Sequence, residues 1–113
     1  MSNKIIFTDF FSKKAKPLIK RFHTLKQEIL DLAEDLIENP FLGDDLGNGI
    51  RKIRLASKSK GKGKSGGFRV VTYNLVEVED ETSLEIHLIL IYDKSEISDI
   101  SKKDLLEIIK YLQ

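Results

Sequence analysis

Apolar and polar positions alternate along this chain with two periods, and the change of period marks its elements. Lys4 to Phe7 is a short apolar run that reads as a first strand. Thr8 or Asp9 can then cap a helix, because a short side-chain oxygen there accepts from an orphan backbone N–H. Phe11, Ala15, Leu18 and Phe22 follow the spacing of one helical face, although Pro17 predicts either a kink or a later start. Thr24 with Gln27 has the form of a capping box. Behind it Leu25, Ile29, Leu32 and Leu36 make an apolar stripe widened by Ala33 and Ile37. Glu28, Asp31, Glu34, Asp35 and Glu38 fall largely on the opposite, solvated side. Asn39-Pro40 ends this helix.

The period then shifts to two. Phe41 to Gly49, with three glycines, reads as a loop. In Ile50 to Ala56, Ile53 and Leu55 share one face of a strand, and Lys52 and Arg54 share the other. A third strand runs from Phe68 to about Glu77, with Phe68, Val70 and Thr72 on one side and Arg69, Val71 and Tyr73 on the other. Glu79-Asp80-Glu81 reads as an acidic turn. A fourth strand, Leu84 to about Tyr92, is apolar on both faces over Leu88 to Ile91, as a covered central strand is. His87 reads as a structural residue at its polar edge. Asp93 to Ser98 is a loop, and Ser101 with Asp104 caps a last helix whose stripe is Leu105, Ile108, Ile109 and Leu112.

The order β-α-α-β-β-β-α predicts an α+β fold. A mainly antiparallel sheet would carry its two N-terminal helices on one face, in a single small domain spanning 1–113. Lys52, Arg54 and Arg69 would then stand together on the opposite, open face.

Composition changes this picture in one place. The net charge is only +1, yet from Arg51 to Tyr73 there is no Asp or Glu while Lys and Arg recur. Such local positive charge is what a polyanion responds to. The ribbon carrying Arg51, Lys58, Lys60, Lys62 and Lys64 is therefore expected to contact RNA phosphate, with Tyr73 and Tyr92 as the available base-stacking rings. With no Cys and only His23 and His87, no disulfide and no metal or other cofactor is expected. No apolar run approaches the roughly 20 residues of a membrane span, so a cytoplasmic location without membrane contact is expected.

Gly63-Lys64-Ser65 matches the end of a P-loop. Position 58 is Lys where that motif needs Gly, however, and a strand rather than a helix follows. Nucleotide hydrolysis is not expected. Cleavage of RNA needs neither metal nor His in principle. The substrate's own 2′-OH can attack the adjacent phosphate if a base takes its proton and cations stabilise the pentavalent charge. Lys52, with Arg54 and Arg69 beside it to lower its pKa, fits the description of such a base. The competing reading is a phosphate-binding face without catalysis.

Four segments together resemble the RelE/HigB family of toxins from prokaryotic toxin–antitoxin modules. They are Asn39-Pro40-x-Leu42-Gly43, Arg51-Lys52-Ile53-Arg54-Leu55-Ala56, the run from Lys60 through Arg69-Val70, and Ile91-Tyr92-x-Lys94-x-Glu96. The glycine-lysine loop with x-Arg, and Tyr-x-Lys-x-Glu, are similar to the HigB-like branch. The resemblance implies a ribosome-dependent, metal-free mRNA endoribonuclease acting in the A site of the 30S ribosome. It also implies a cognate antitoxin of helix-turn-helix type, through which the complex would bind its operator DNA. By position, Lys52 and Arg54 match the family's basic strand pair, Arg69 its phosphate-contacting arginine, and Lys94 its basic segment after the last strand. The chain departs from the family at Ser95, where better-studied members have Arg, and at Ser101, near where they have a catalytic Tyr. Tyr92 or Tyr73, Glu96 or Asp99 could replace that Tyr. For Glu96 and Asp99 the simpler reading is favourable placement ahead of a helix N-terminus, and for Tyr92 it is a sheet-end aromatic packed on the core. Two alternatives fit the same residues: a ParE-like gyrase inhibitor on the same fold, or a non-catalytic RNA-binding module.

Overall fold

The computed structural model describes residues 3–60, 67–76, 83–97 and 99–112. The elements run β1 (Lys4–Phe7), α1 (Asp9–Arg21), α2 (Leu25–Glu38), β2 (Asp44–Gly47), β3 (Ile50–Leu55), β4 (Phe68–Val76), β5 (Leu84–Asp93) and α3 (Lys102–Leu112). A single 3-10 turn, Lys58–Lys60, follows β3. The sheet order is β1-β5-β4-β3-β2. Only β1, which pairs with β5, is parallel to its neighbour, because the two helices and three strands lie between them in the chain. The acidic turn expected at 79–81 lies outside the described residues.

Helices α1 and α2 cover one face, as their stripes predict. Phe11, Ala15, Leu18, Leu25, Ile29 and Leu36 pack with Ile53, Phe68, Val70, Ile86, Leu88 and Ile91 of the sheet. Thr8 starts α1: its hydroxyl accepts from Phe11 N–H at 3.1 Å and donates to Leu88 C=O at 2.8 Å, tying the helix end to β5. The helix runs through Pro17 from Asp9, so the later start is not found. The capping box at Thr24 is not found either. Thr24 has helical backbone angles, which turn its hydroxyl away from the first-turn N–H groups. That hydroxyl instead meets Ser57 and Ser59 in the segment after β3, and Gln27 bonds Asp31 at 2.9 Å.

Two further expectations are corrected. The segment 41–49 contains a fifth strand, β2, an edge strand of Asp, Leu and Gly that pairs with Ile50, Arg51 and Lys52 and packs Leu46 on the second core. Gly43 (φ 87°) makes this pairing possible, since a Cβ there would lie 2.4 Å from the Lys52 carbonyl oxygen. The second correction concerns the sheet's other face, which is not open. Leu105 and Ile109 of α3 pack over Ile50, Val71, Ile89, Leu90 and Tyr92 in a second core. Ile89 and Leu90 are consecutive yet share this core. The pairing of β4 with β5 passes from Val71↔Leu90 to Thr72↔Leu88, so Ile89 is an extra residue in β5. The bulge and two covered faces explain the unbroken apolar run. Ser101 caps α3 as expected, accepting from Asp104 N–H at 3.1 Å.

Candidate functional site

The register places Arg54 opposite Arg69 and Arg69 opposite Tyr92, a row of three side chains across β3, β4 and β5. Lys52, two residues from Arg54, points the same way. This row lies on the face that α3 covers, with Tyr92 inside the second core. Arg54 is exposed, whereas Arg69 is only 7% exposed, with Nη1 donating to the Phe68 carbonyl at 3.2 Å. Like charges directly opposite on a sheet repel. Among the described residues no carboxylate bridges either arginine.

Lys52 has a partner. Its Nζ donates to Asp99 Oδ1 at 2.8 Å, and the Lys52 side chain is 23% exposed against 63% for Asp99. That hydrogen bond holds the ammonium pKa above its ordinary value, burial and Arg69 opposing it without reversing it. The expected depression of the Lys52 pKa is therefore not found: the bond to Asp99 favours the protonated form. Asp99 is held below the usual carboxylate range by Lys52 first, then by Ile100 N–H, with Lys94 adding its field. Lys94 thereby joins the cluster; its own N–H bonds Gly67 C=O at 3.2 Å in the turn after β5.

Tyr92 is buried, and its hydroxyl is enclosed without a hydrogen-bond partner among the described residues. Burial raises its pKa, while the nearby Lys52 and Arg69 pull the other way. The phenol is accordingly a proton holder. Four groups expected at the site thus converge on one another, Lys52, Arg54, Arg69 and Tyr92, with Lys94 close enough to act on Asp99.

The basic ribbon is not assembled as expected. Arg51 points to the opposite face and pins the 41–45 segment. It donates to the Leu42 and Gly43 carbonyls at 3.2 and 3.0 Å, pairs with Asp45 at 3.7 Å and lies over the Phe41 ring. Lys60 is ion-paired with Asp93, both side chains at most 10% exposed, and sits over the rings of Phe22 and Phe68. It is a structural cation rather than an RNA contact, because apolar walls and a buried carboxylate enclose it. Burial alone would raise the Asp93 pKa, but hydrogen bonds from Lys60 and Ser95 leave it lowered. Tyr73 is half-buried in the second core beside His87, which contacts Glu85 at 3.2 Å, so its ring is not an open stacking platform. Lys58 is exposed, its N–H bound to Glu28 Oε2 at 2.9 Å. Lys62 and Lys64 lie outside the described residues.

Glu96 pairs with Arg21 at 2.9 Å, on α1, away from the cationic row. Asp99 is the residue that sequence reasoning undervalued. Its position ahead of a helix was legible, but its partner stands 47 positions earlier in the chain.

No family model matches the chain. Among solved structures it is similar to a mutant of the E. coli toxin RelE in the free state, with a TM-score of 0.58 and 17% identity over 100% of both chains. The chain therefore has the RelE-like toxin fold.

Proposed function

We propose that this chain is the toxin of a type II toxin–antitoxin module, of the HigB-like kind its motifs resemble. In this reading it is a ribosome-dependent mRNA endoribonuclease, silenced by a cognate antitoxin. The observation that carries the reading is the convergence of Lys52, Arg54 and Arg69 on one sheet face beside the enclosed hydroxyl of Tyr92. Among the described residues, Lys52, Arg54 and Arg69 with Asp99 between them leave a positive excess that a phosphodiester satisfies. The RelE-like fold is consistent with it.

The chemistry is transfer within the RNA itself. The 2′-oxygen bonds to the adjacent phosphorus, the bond from phosphorus to the 5′-oxygen of the next nucleotide breaks, and a 2′,3′-cyclic phosphate and a 5′-OH end result. Arg69 and Arg54 hold the phosphoryl oxygens. Lys52, protonated, stabilises the extra negative charge of the transition state once the phosphate displaces Asp99 from it. Displaced, the Asp99 carboxylate is free to accept the 2′-OH proton. Tyr92, which keeps its proton at neutral pH, donates towards the departing oxygen. A merely RNA-binding module is less well supported, since Tyr73 and Tyr92 are committed to the second core and offer no stacking surface.

Arg69→Ala tests the assignment on purified ribosomes programmed with message. Loss of one preorganised donor to developing charge lowers the cleavage rate about 10²- to 10³-fold. Arg69→Lys, which keeps the charge, separates this effect from a folding defect. Undiminished cleavage by Arg69→Ala would falsify the role. Inhibition of gyrase supercoiling by the wild type, with message untouched, would replace the reading by the ParE-like one.

A further inference from the structure

Strand β3 is paired on both sides over only half its length. β4 covers it from Ile50 to Leu55, while β2 reaches only Ile50, Arg51 and Lys52. Two close approaches fix which way the remaining main-chain groups point. A Cβ on Gly43 would lie 2.4 Å from the Lys52 carbonyl oxygen, so that oxygen faces the β2 side. A Cβ on Gly67 would lie 2.5 Å from the Leu55 carbonyl oxygen, so that one faces the β4 side. Alternation along the strand then turns the N–H and C=O of Arg54 outward, in line with Lys52 but beyond the end of β2. Among the described residues no strand pairs with them.

This edge is one wall of an open groove of about 670 Å³, and the polar face of α2 is the other. Glu28, Asp31 and Asp35 line it from α2, and Asp44 lines it from β2. Asp31, Asp35 and Asp44 are exposed. Glu28 uses Oε2 on Lys58 N–H, and its Oε1 is enclosed without a partner among the described residues. Between the carboxylates, Leu32 and Leu42 give the groove apolar ground. Four carboxylates outweigh the two cationic residues that also line it, Lys52 and Arg54, so the groove favours cations over phosphodiester.

We propose that this groove receives an extended, basic segment of a partner protein, added to the sheet as a strand beside Arg54–Ala56. Its main chain bonds the outward groups of Arg54, alternate Lys or Arg side chains meet the α2 carboxylates, and the apolar side chains between them rest on Leu32 and Leu42. The main chain of Arg54 faces the groove while its side chain belongs to the cationic face, so the segment lies next to that face without covering it. The inference holds whether or not the cationic face cleaves RNA.

The full chain is titrated with a fluorescein-labelled peptide of alternating Lys and Val, with its Glu-Val counterpart, and with a Lys-Val peptide N-methylated at alternate residues. Amide shifts are followed in parallel. The Lys-Val peptide is expected to bind with shifts at Arg54–Ala56 and along α2, and the Glu-Val and N-methylated peptides at least about tenfold more weakly. Asp31→Asn and Asp35→Asn, both exposed, each weaken the Lys-Val peptide about 3- to 10-fold without unfolding the chain. No binding up to about 1 mM, equal binding of the three peptides, shifts mapping to the cationic face, or displacement by an RNA oligonucleotide would each overturn it. So would self-association of the chain through this edge in place of peptide binding.

Discussion

Lys52→Arg separates two chemistries that the sequence leaves together. A base must give up its proton. With an ordinary pKa of about 10.4, roughly one lysine in 2,500 is neutral at pH 7, and the 2.8 Å bond to Asp99 makes that fraction smaller still. Arg cannot deprotonate, yet it carries the same charge and can reach both Asp99 and a phosphate. If Lys52 is a fixed cation, Lys52→Arg keeps the single-turnover cleavage rate within about tenfold. Lys52→Ala loses a charge-assisted bond of roughly 1.5–3 kcal/mol, about 10- to 150-fold in rate. If Lys52 is the base, both substitutions cost about 10²- to 10⁴-fold. The pH profile supplies a second readout. Because the folded pKa of Lys52 is raised, its contribution to stability is fully present below about pH 10.4 and is lost as pH rises through the higher folded value. Because that of Asp99 is lowered, its contribution is present above about pH 3.9 and is lost as pH falls through the lower folded value. The pair is therefore intact throughout neutral pH, and Lys52 contributes no slope there. The assay is cleavage of message on programmed ribosomes at saturating protein, over neutral pH. Equal inactivity of Lys52→Arg and Lys52→Ala refutes the fixed-cation reading. So does a tenfold rise in rate per pH unit that the Arg variant abolishes.

Lys60→Met strands the buried Asp93 carboxylate and lowers stability by about 3–5 kcal/mol in urea unfolding, while the salt dependence of RNA binding stays as in wild type. An unchanged urea midpoint, or a shallower salt slope, would return Lys60 to the RNA-binding set. The lowered pKa of Asp93 contributes stability above about pH 3.9 that disappears as pH falls through its folded value. Asp93→Asn should remove that part of the acid dependence between about pH 2 and 5, and an unaltered profile would assign it to other carboxylates. Arg54→Ala relieves a like-charge pair with Arg69 and should raise stability by about 0.2–1 kcal/mol while weakening RNA binding. A fall in Tm would show that the exposed guanidinium has a stabilising contact.

The helices and the faces of β3 and β4 were legible because periodicity reports burial, and burial is decided locally once the element type is known. Phe68 and Val70 belong to one core and Val71 to the other, as alternation requires. What escaped was pairing across the chain. Lys60 reads as one more cation in a charge run, because Asp93, Phe22 and Phe68, which enclose it, are distant in sequence. β2 carries Asp and Gly where a strand usually carries β-branched residues; it is held by its ladder to β3 rather than by propensity. The covered second face could have been inferred. The stripe Leu105, Ile108, Ile109 and Leu112 needs an apolar surface, and with the first face taken by α1 and α2, Ile50, Val71 and Leu90 were what remained. The Lys52–Asp99 pair had no local signal, whereas the packing of Tyr92 on the core is what its place at the end of a covered strand suggests.

That covering helix bears on the site as much as the cations do. Arg69 stands at the edge of a core in which Leu105 of α3 is 1% exposed, Val71 0% and Tyr92 3%. Low dielectric there strengthens every charge interaction Arg69 makes, repulsive ones included. Arg54 faces it from β3 with Lys52 nearby, and among the described residues the carboxylate of this cluster, Asp99, is spent on Lys52. Among the described residues, Arg69 thus has no carboxylate partner and the Tyr92 hydroxyl no hydrogen-bond partner, and in the proposed reading a phosphate supplies both. In that reading Asp99, ion-paired to Lys52, is the group a phosphate displaces, while the Ser101 cap holds the start of α3 behind it.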